Sequence, residues 1–245
     1  MTHTISVSGS VLTKHYVSWA RNEPDREWAA LTLVSQTAPD LVPHPLAASP
    51  APSLTMTVIP GQSLAPPVTP GQLTALGNAI ETLWWIRPET LPAIDLSALV
   101  DRTRSGLTVL RDGDGVIAQA ARTWLERRPP DLSAVQDPVV AHGDPNLANY
   151  LWDGTQVRIV DFEDAGLGDR TVELANLVEH LSGRGTDWTP LVRRFAVDPE
   201  RFQAARCLWA GFWLTLIGPG GPSADRNPPG TAEAQAGRVL RLVAG

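Results

Sequence analysis

The chain has 245 residues, 43% hydrophobic and 19% charged, which is ordinary globular usage and long enough for one large core or two lobes. A formal net charge of −6 and an isoelectric point near 5.3 argue against nucleic acid or an acidic membrane as the main partner. The single cysteine, Cys207, cannot form an internal disulfide, the first residues lack the regions of a signal peptide, and the longest apolar run, 207–217, is about half of the ~20 residues that a membrane-spanning helix requires.

The N-terminal stretch reads as strands. Residues 4–7 fit one strand, Ser8-Gly9 a turn, and 10–17 a second strand carrying Lys14. Lys14 is the only lysine in a chain that uses arginine at 19 positions. A compact ammonium and a planar guanidinium are not equivalent where a point charge must fit between phosphate oxygens, so the exception is informative. Downstream, Asn22 and Pro24 are helix-start signals for an apolar pattern over 28–35. Glu27, Leu31 and Val34 fall at i, i+4 and i+7, which puts Glu27 on the inward face, where a carboxylate needs a cationic partner. Taken singly, Lys14 also fits a solvated strand and Glu27 a charged first turn favoured by the helix dipole.

Pro-rich 47–52 reads as a turn between strands and 65–70 as a linker. A helix is expected over 71–85, with Leu73, Leu76, Ile80 and Leu83 on one side, and another over 116–125, with Ile117, Ala120 and Trp124 as its stripe.

After the apolar strand Val139-Val140-Ala141 comes His142-Gly143-Asp144-Pro145-Asn146-Leu147-Ala148-Asn149, and twelve positions later Asp161-Phe162-Glu163. An H-x-D-x-x-x-x-N loop places an aspartate to accept a hydroxyl proton and an asparagine to reach a magnesium ion, while a later Asp bridges metal and nucleotide phosphates. Those roles fall to Asp144, Asn149 and Asp161. Residues 149–152 and 157–161 flank the turn cluster Asp153-Gly154-Thr155-Gln156 and are expected to form a hairpin. Its far ends bring Asn149 across from Asp161, and two oxygen ligands suffice for magnesium, which keeps several waters and takes further ligands from phosphates. Any one of these residues alone fits a turn; all three at this spacing point to phosphoryl transfer. Kinases place the phosphate-binding lysine on an N-terminal strand and hold it with a glutamate of the next helix, which is the arrangement Lys14 and Glu27 offer. Towards the C-terminus, a helix capped by Asp198 with Pro199 as its first residue is expected to run to 217, followed by a Gly/Pro-rich loop over 218–230.

Together these residues resemble the aminoglycoside phosphotransferase and choline kinase-like family of small-molecule kinases. The likeness is closest over 140–181: His142-Gly143-Asp144 with Asn149 is similar to the family's catalytic loop, and Val160-Asp161-Phe162-Glu163-Asp164-Ala165-Gly166 to its metal-binding segment. Gly168 to Ala175 is similar to the next element, with Arg170 where a proline is usual and Glu173 where an aspartate is more typical. Thr55 to Gly61 looks like the strand and hinge between lobes, which implies adenine hydrogen bonds on the backbones of Thr57 and Ile59. The resemblance implies an α+β, protein-kinase-like two-lobed fold, with a small β-rich N-lobe and hinge at 1–62 and a larger, mainly helical C-lobe at 63–245. One departure is that no glycine-rich loop precedes Lys14; either nucleotide binds under a reduced lid and the N-lobe is small, or that lobe is truncated and the true start lies upstream of Met1.

The resulting expectation is a cytoplasmic phosphotransferase using ATP or GTP with Mg2+ on a small hydroxylated compound. Asp144 acts as base, His142 supports its loop by hydrogen bonding, Asn149 and Asp161 hold the metal with help from Glu163, and Lys14, steadied by Glu27, binds phosphates. Only about six residues separate Glu163 from the next helix, too few for a protein-kinase activation loop, so the acceptor is expected to be small. Asp187, Trp188, Glu179, His180, Trp209 and Trp213 are acceptor-pocket candidates by location only, and core packing is the plainer account of the tryptophans. The competing reading is a non-catalytic nucleotide- or ligand-binding protein on a kinase-like scaffold.

Overall fold

Short apolar strands separated by turn residues build an antiparallel sheet at the N-terminal end, in a computed structural model that describes residues 3–17, 22–49, 53–127 and 131–245. Strands β1 (Thr4–Ser8) and β2 (Val11–His15) form a hairpin whose turn places Gly9 at φ +59°. Strand β4 (Ser53–Thr57) pairs with the other side of β2, and β3 (Pro45–Ser49) closes the order β1-β2-β4-β3. Of the turn expected at 47–52, residues 47–49 instead belong to β3, where they pair with β4, and 50–52 lie outside the described residues. Helix α1 (Glu23–Thr37) enters between β2 and β3 and packs Ala30, Leu31 and Val34, all fully buried, towards this sheet.

Farther along, α2 (Pro70–Trp84) starts at a capping box in which Thr69 and Gln72 satisfy each other's backbone N–H groups, and it buries Leu73, Leu76, Ile80 and Leu83. Two small sheets follow. Strand β6 (Pro138–Ala141) pairs with β9 (Gly166–Asp169), while β7 (Tyr150–Trp152) lies between β5 (Gln62–Ser63) and β8 (Val157–Ile159). The β7–β8 hairpin forms where the turn cluster placed it, with Tyr150 opposite Ile159. The remaining helices are α3 (Leu96–Leu110), α4 (Gly115–Glu126), α5 (Arg170–Glu179), α6 (Thr189–Arg194), α7 (Pro199–Ile217) and α8 (Thr231–Ala244). The architecture is therefore the expected one, a small antiparallel-sheet N-lobe and a helical C-lobe.

By compactness the residues group into two units of three segments each: Met1–Ile94, Asp137–Glu173 and Ser182–Ala196 in the first; Asp95–Gln136, Leu174–Leu181 and Val197–Gly245 in the second. The second is a helical body in which α7 packs on α3 and α8. Several of its interior polar groups are paired: the Trp124 indole donates to the Cys207 carbonyl at 2.8 Å, the Gln235 amide donates to the Ala210 carbonyl at 2.7 Å, and the fully buried Glu179 accepts from Arg206 and Arg238. No helix among the described residues is long and apolar enough to cross a membrane.

Helix α7 begins at Asp198, whose carboxylate accepts from the Arg201 N–H at 2.7 Å. Asp198→Ala strands that N–H at a helix end, so urea unfolding should show a loss of about 1 kcal/mol.

Candidate active site

Strand β6 delivers the chain into the loop that starts at His142, and three contacts fix that loop. Gly143 adopts φ +84°, and a Cβ there would lie 2.4 Å from the carbonyl oxygen of Asp164, so only glycine fits. The His142 Nε2 lies 2.8 Å from the Val160 carbonyl oxygen, an atom that can only accept; the ring therefore carries its proton on Nε2 and ties the loop to the end of β8. On the other side, one carboxylate oxygen of Glu173 accepts from the backbone N–H groups of His142, at 3.1 Å, and Gly143, at 3.3 Å. Burial raises the Glu173 pKa, and the Gly143 N–H and the neighbouring His142 oppose that rise.

Asp144 follows directly and is only partly buried. The Asn149 amide donates to the Asp144 carbonyl at 3.0 Å and approaches the Asp144 carboxylate at 3.4 Å. Since a backbone carbonyl only accepts, Asn149 must present Nδ2 to it, which turns its Oδ1 away and makes it available as a ligand. The Val160 N–H donates to the Asn149 carbonyl at 2.9 Å, so the hairpin places Asn149 one residue from Asp161 across the ladder.

Asp161 has φ +70°, a left-handed conformation that aspartate tolerates better than most residues. Its carboxylate accepts a short hydrogen bond from Lys14, although 147 positions separate the two in sequence. The same ammonium donates to Glu163 Oε2 at 2.7 Å and to Glu27 Oε2 at 2.7 Å. Tyr16 donates to Glu27 as well, and the Phe162 N–H gives a further bond to Glu27 Oε1 at 3.2 Å. Burial by itself would lower the Lys14 pKa, but the charges of Glu27 and Asp161 and hydrogen bonds to Asp161 and Glu163 hold it above the usual lysine range. Tyr16 is likewise pushed up, by burial and then by the Glu27 charge. One ammonium thus faces three carboxylates whose ligand atoms lie within 4.8 Å of one another.

A cavity of about 350 Å3 opens beside this cluster, and Lys14, Glu27, Thr57, Ile59, Asn149, Asp161 and Glu163 all line it, with Leu12, Met56 and Val58 among its apolar walls. It therefore gathers every residue expected to touch nucleotide or metal. The Thr57 N–H is already given to the His44 carbonyl at 2.9 Å, so the Thr57 backbone has only its carbonyl to offer a ligand. Among the acceptor candidates, Asp187 caps the Thr189 N–H, Glu179 is occupied by two guanidinium groups, Trp188 and Trp209 are buried, and His180 packs edge-on against Trp213. Each has a structural task. Glu173 and Tyr16 were not assigned roles from sequence; the signal for Tyr16 was its position two residues from Lys14 on one strand, which puts both on one face.

A family model described as the phosphotransferase enzyme family matches residues 8–208. The chain belongs to that family. A search of curated protein sequences finds no match. Among solved structures, the fold is similar to a choline/ethanolamine kinase family protein from Mesorhizobium loti, with 20% identity, a TM-score of 0.66, and coverage of 100% of this chain and 85% of that one. It is also similar to choline kinase LicA from Streptococcus pneumoniae, at 12% identity and TM-score 0.67 with coverage of 99% and 89%. The ADP-bound aminoglycoside phosphotransferase APH(2'')-Ib matches at 13% identity and TM-score 0.63, with coverage of 98% and 92%.

The two N–H bonds on Glu173 generate a prediction about the loop. Glu173→Ala removes the acceptor of one buried and one partly buried N–H and should cost about 2 kcal/mol of stability, whereas Glu173→Gln keeps an acceptor oxygen in place and should cost about half as much or less. Paired denaturation curves check this, and equal losses for the two variants would contradict the anchoring role.

Proposed function

We propose that this protein transfers the terminal phosphoryl group of ATP or GTP, with Mg2+, to a hydroxyl of a small molecule. The observation that carries the reading is the meeting of Lys14 with Asp161 and Glu163 on the wall of one cavity that Asn149 also lines, with Asn149 hydrogen-bonded to Asp144. Family membership supports it independently.

In this reading the acceptor oxygen attacks the terminal phosphorus, the bond to the bridging oxygen breaks, the nucleoside diphosphate leaves, and the acceptor proton passes to Asp144. Asn149 holds the Asp144 loop by its amide N–H, and its Oδ1 would be left as a metal ligand. Asn149 and Asp161 would hold Mg2+, and Glu163 would assist. An all-oxygen donor set fits a hard cation, and the excess of carboxylates over ammonium in the cluster fits added positive charge. When bound, Mg2+ supplies charge neutralisation on the phosphates. Lys14, fixed by Glu27, binds phosphate oxygens, and the Thr57 carbonyl and Ile59 backbone serve the base. His142 holds the loop and does not transfer protons.

The acceptor is small in this reading because α5 begins at Arg170, directly after β9, leaving only six residues after Glu163 and no length for a peptide-binding activation segment. The acceptor class we propose is an antibiotic, an amino alcohol or a sugar-like compound, a range that similarity to a choline/ethanolamine kinase family protein and an aminoglycoside phosphotransferase supports.

Phosphorus NMR of the protein with ATP, Mg2+ and a panel of such hydroxylated compounds should reveal a new phosphomonoester with one of them. Asp144→Asn should lower its kcat by about 10²–10⁴ while nucleotide binding persists. A variant keeping more than about a third of wild-type turnover, well above the usual loss of a general base, would remove Asp144 from that role. In calorimetry, Asp161→Ala should abolish the magnesium dependence of nucleotide binding, and Asn149→Ala should raise the magnesium concentration needed; unchanged magnesium titrations for both would exclude the metal assignment.

A further inference from the structure

His3, in the segment before β1, lines the same cavity as Lys14, Asp161 and Glu163. Its hydrogen bonds settle its state. The Val17 backbone N–H, which can only donate, lies 3.3 Å from Nδ1, so Nδ1 accepts and the ring proton sits on Nε2. That Nε2 is 2.8 Å from Glu163 Oε2, the oxygen that also accepts from Lys14. The imidazole rests edge-on against the Tyr16 ring at a centroid distance of 4.8 Å, and the Tyr16 hydroxyl donates to Glu27, the other carboxylate that holds Lys14. The contacts close a ring: Lys14 is gripped by Glu27 and Glu163, Tyr16 steadies Glu27, and His3 steadies Glu163. The His3 and Glu163 side chains are only 11% and 16% exposed, so little water competes for this bond.

We propose that His3 is a nucleotide-positioning residue: its Nε2–H keeps Glu163 turned onto Lys14 and thereby presents the ammonium in one orientation at the phosphate end of the cavity. Without that donor, Glu163 is free to rotate away and Lys14 loses one of its three carboxylate partners. Nucleotide then has to order the ammonium as it binds, at a cost in affinity. This inference rests on the reading of Lys14 as the phosphate ligand.

The test measures Mg·ADP affinity by calorimetry and melting temperature for wild type, His3→Ala, His3→Gln and Lys14→Ala. Glutamine can place an amide N–H where Nε2 stands, so it should restore what alanine removes. His3→Ala is expected to weaken ADP by about three- to ten-fold, the scale of one typical net hydrogen bond, with His3→Gln near wild type. Nitrogen-15 NMR of the free protein should find His3 protonated on Nε2. If His3→Ala lowers only the melting temperature and leaves ADP affinity unchanged, or if alanine and glutamine weaken ADP equally, His3 does not act through its donor and the inference is overturned. If Lys14→Ala leaves ADP affinity unchanged, the phosphate-site reading itself fails; if Lys14→Ala weakens ADP while His3→Ala does not, only the His3 inference fails.

Discussion

An ammonium cannot be buried without anions around it, and the first compact unit is arranged to satisfy that demand at Lys14. The partners come from two places: Glu27 from α1, and Asp161 and Glu163 from the segment after β8. Because Lys14 is only 5% exposed, its ammonium would be poorly compensated in a medium of low polarity if these carboxylates were absent. The pairing therefore dictates the orientation of α1 relative to β2 and the path of the chain through Asp161. The left-handed backbone at Asp161 falls at the residue whose carboxylate meets the lysine. An arrangement with more carboxylate than ammonium is costly for folding alone and is suited to receiving further positive charge with a polyanion.

The second constraint is on backbone rather than on charge. The loop bearing Asp144 has no regular hydrogen-bonding partner of its own, so its N–H groups need acceptors supplied from elsewhere. Glu173 provides them at His142 and Gly143, Ser182 provides one at Leu147 at 2.8 Å, and the Asn149 amide spans the loop from within. Gly143 lets the loop pass against the Asp164 carbonyl, which links the loop bearing Asp144 directly to the segment that follows Asp161 and Glu163. The two stretches are thus positioned by contact with each other.

Much of this was legible because it depends on spacing within short stretches. The H-x-D-x-x-x-x-N loop, the hairpin turn at Asp153 to Gln156 and the helix-start signals at Pro24 and Asp198 are local signals, and local signals survive in a single sequence. The lysine count pointed to Lys14 for a chemical reason, the difference between an ammonium and a guanidinium. Other parts resisted because their meaning is tertiary. Glu173 reads as an ordinary first-turn acid of α5 until the loop it anchors is placed beside it, and nothing in the residues around His3 says that the imidazole meets Glu163. Helices α3 and α8 went unmarked for a different reason. In α3, Thr103 takes a core position and bonds back to the Leu99 carbonyl, and in α8 the buried face consists of Gln235, Ala236, Val239 and Leu242. Polar and small residues at core positions dilute the apolar stripe by which a helix is recognised.

The central claim is that the Lys14 cluster and the Asn149–Asp161 pair together form the seat of nucleotide phosphates and metal. Crystals grown with a non-hydrolysable ATP analogue and Mn2+ in place of Mg2+ test it most directly, since manganese gives an anomalous signal that identifies its ligands without ambiguity. The account predicts a manganese peak bonded to Asn149 Oδ1 and the Asp161 carboxylate, with phosphate density against the Lys14 ammonium. Manganese and phosphates bound at another surface, with Lys14 still enclosed by its three carboxylates, would contradict it.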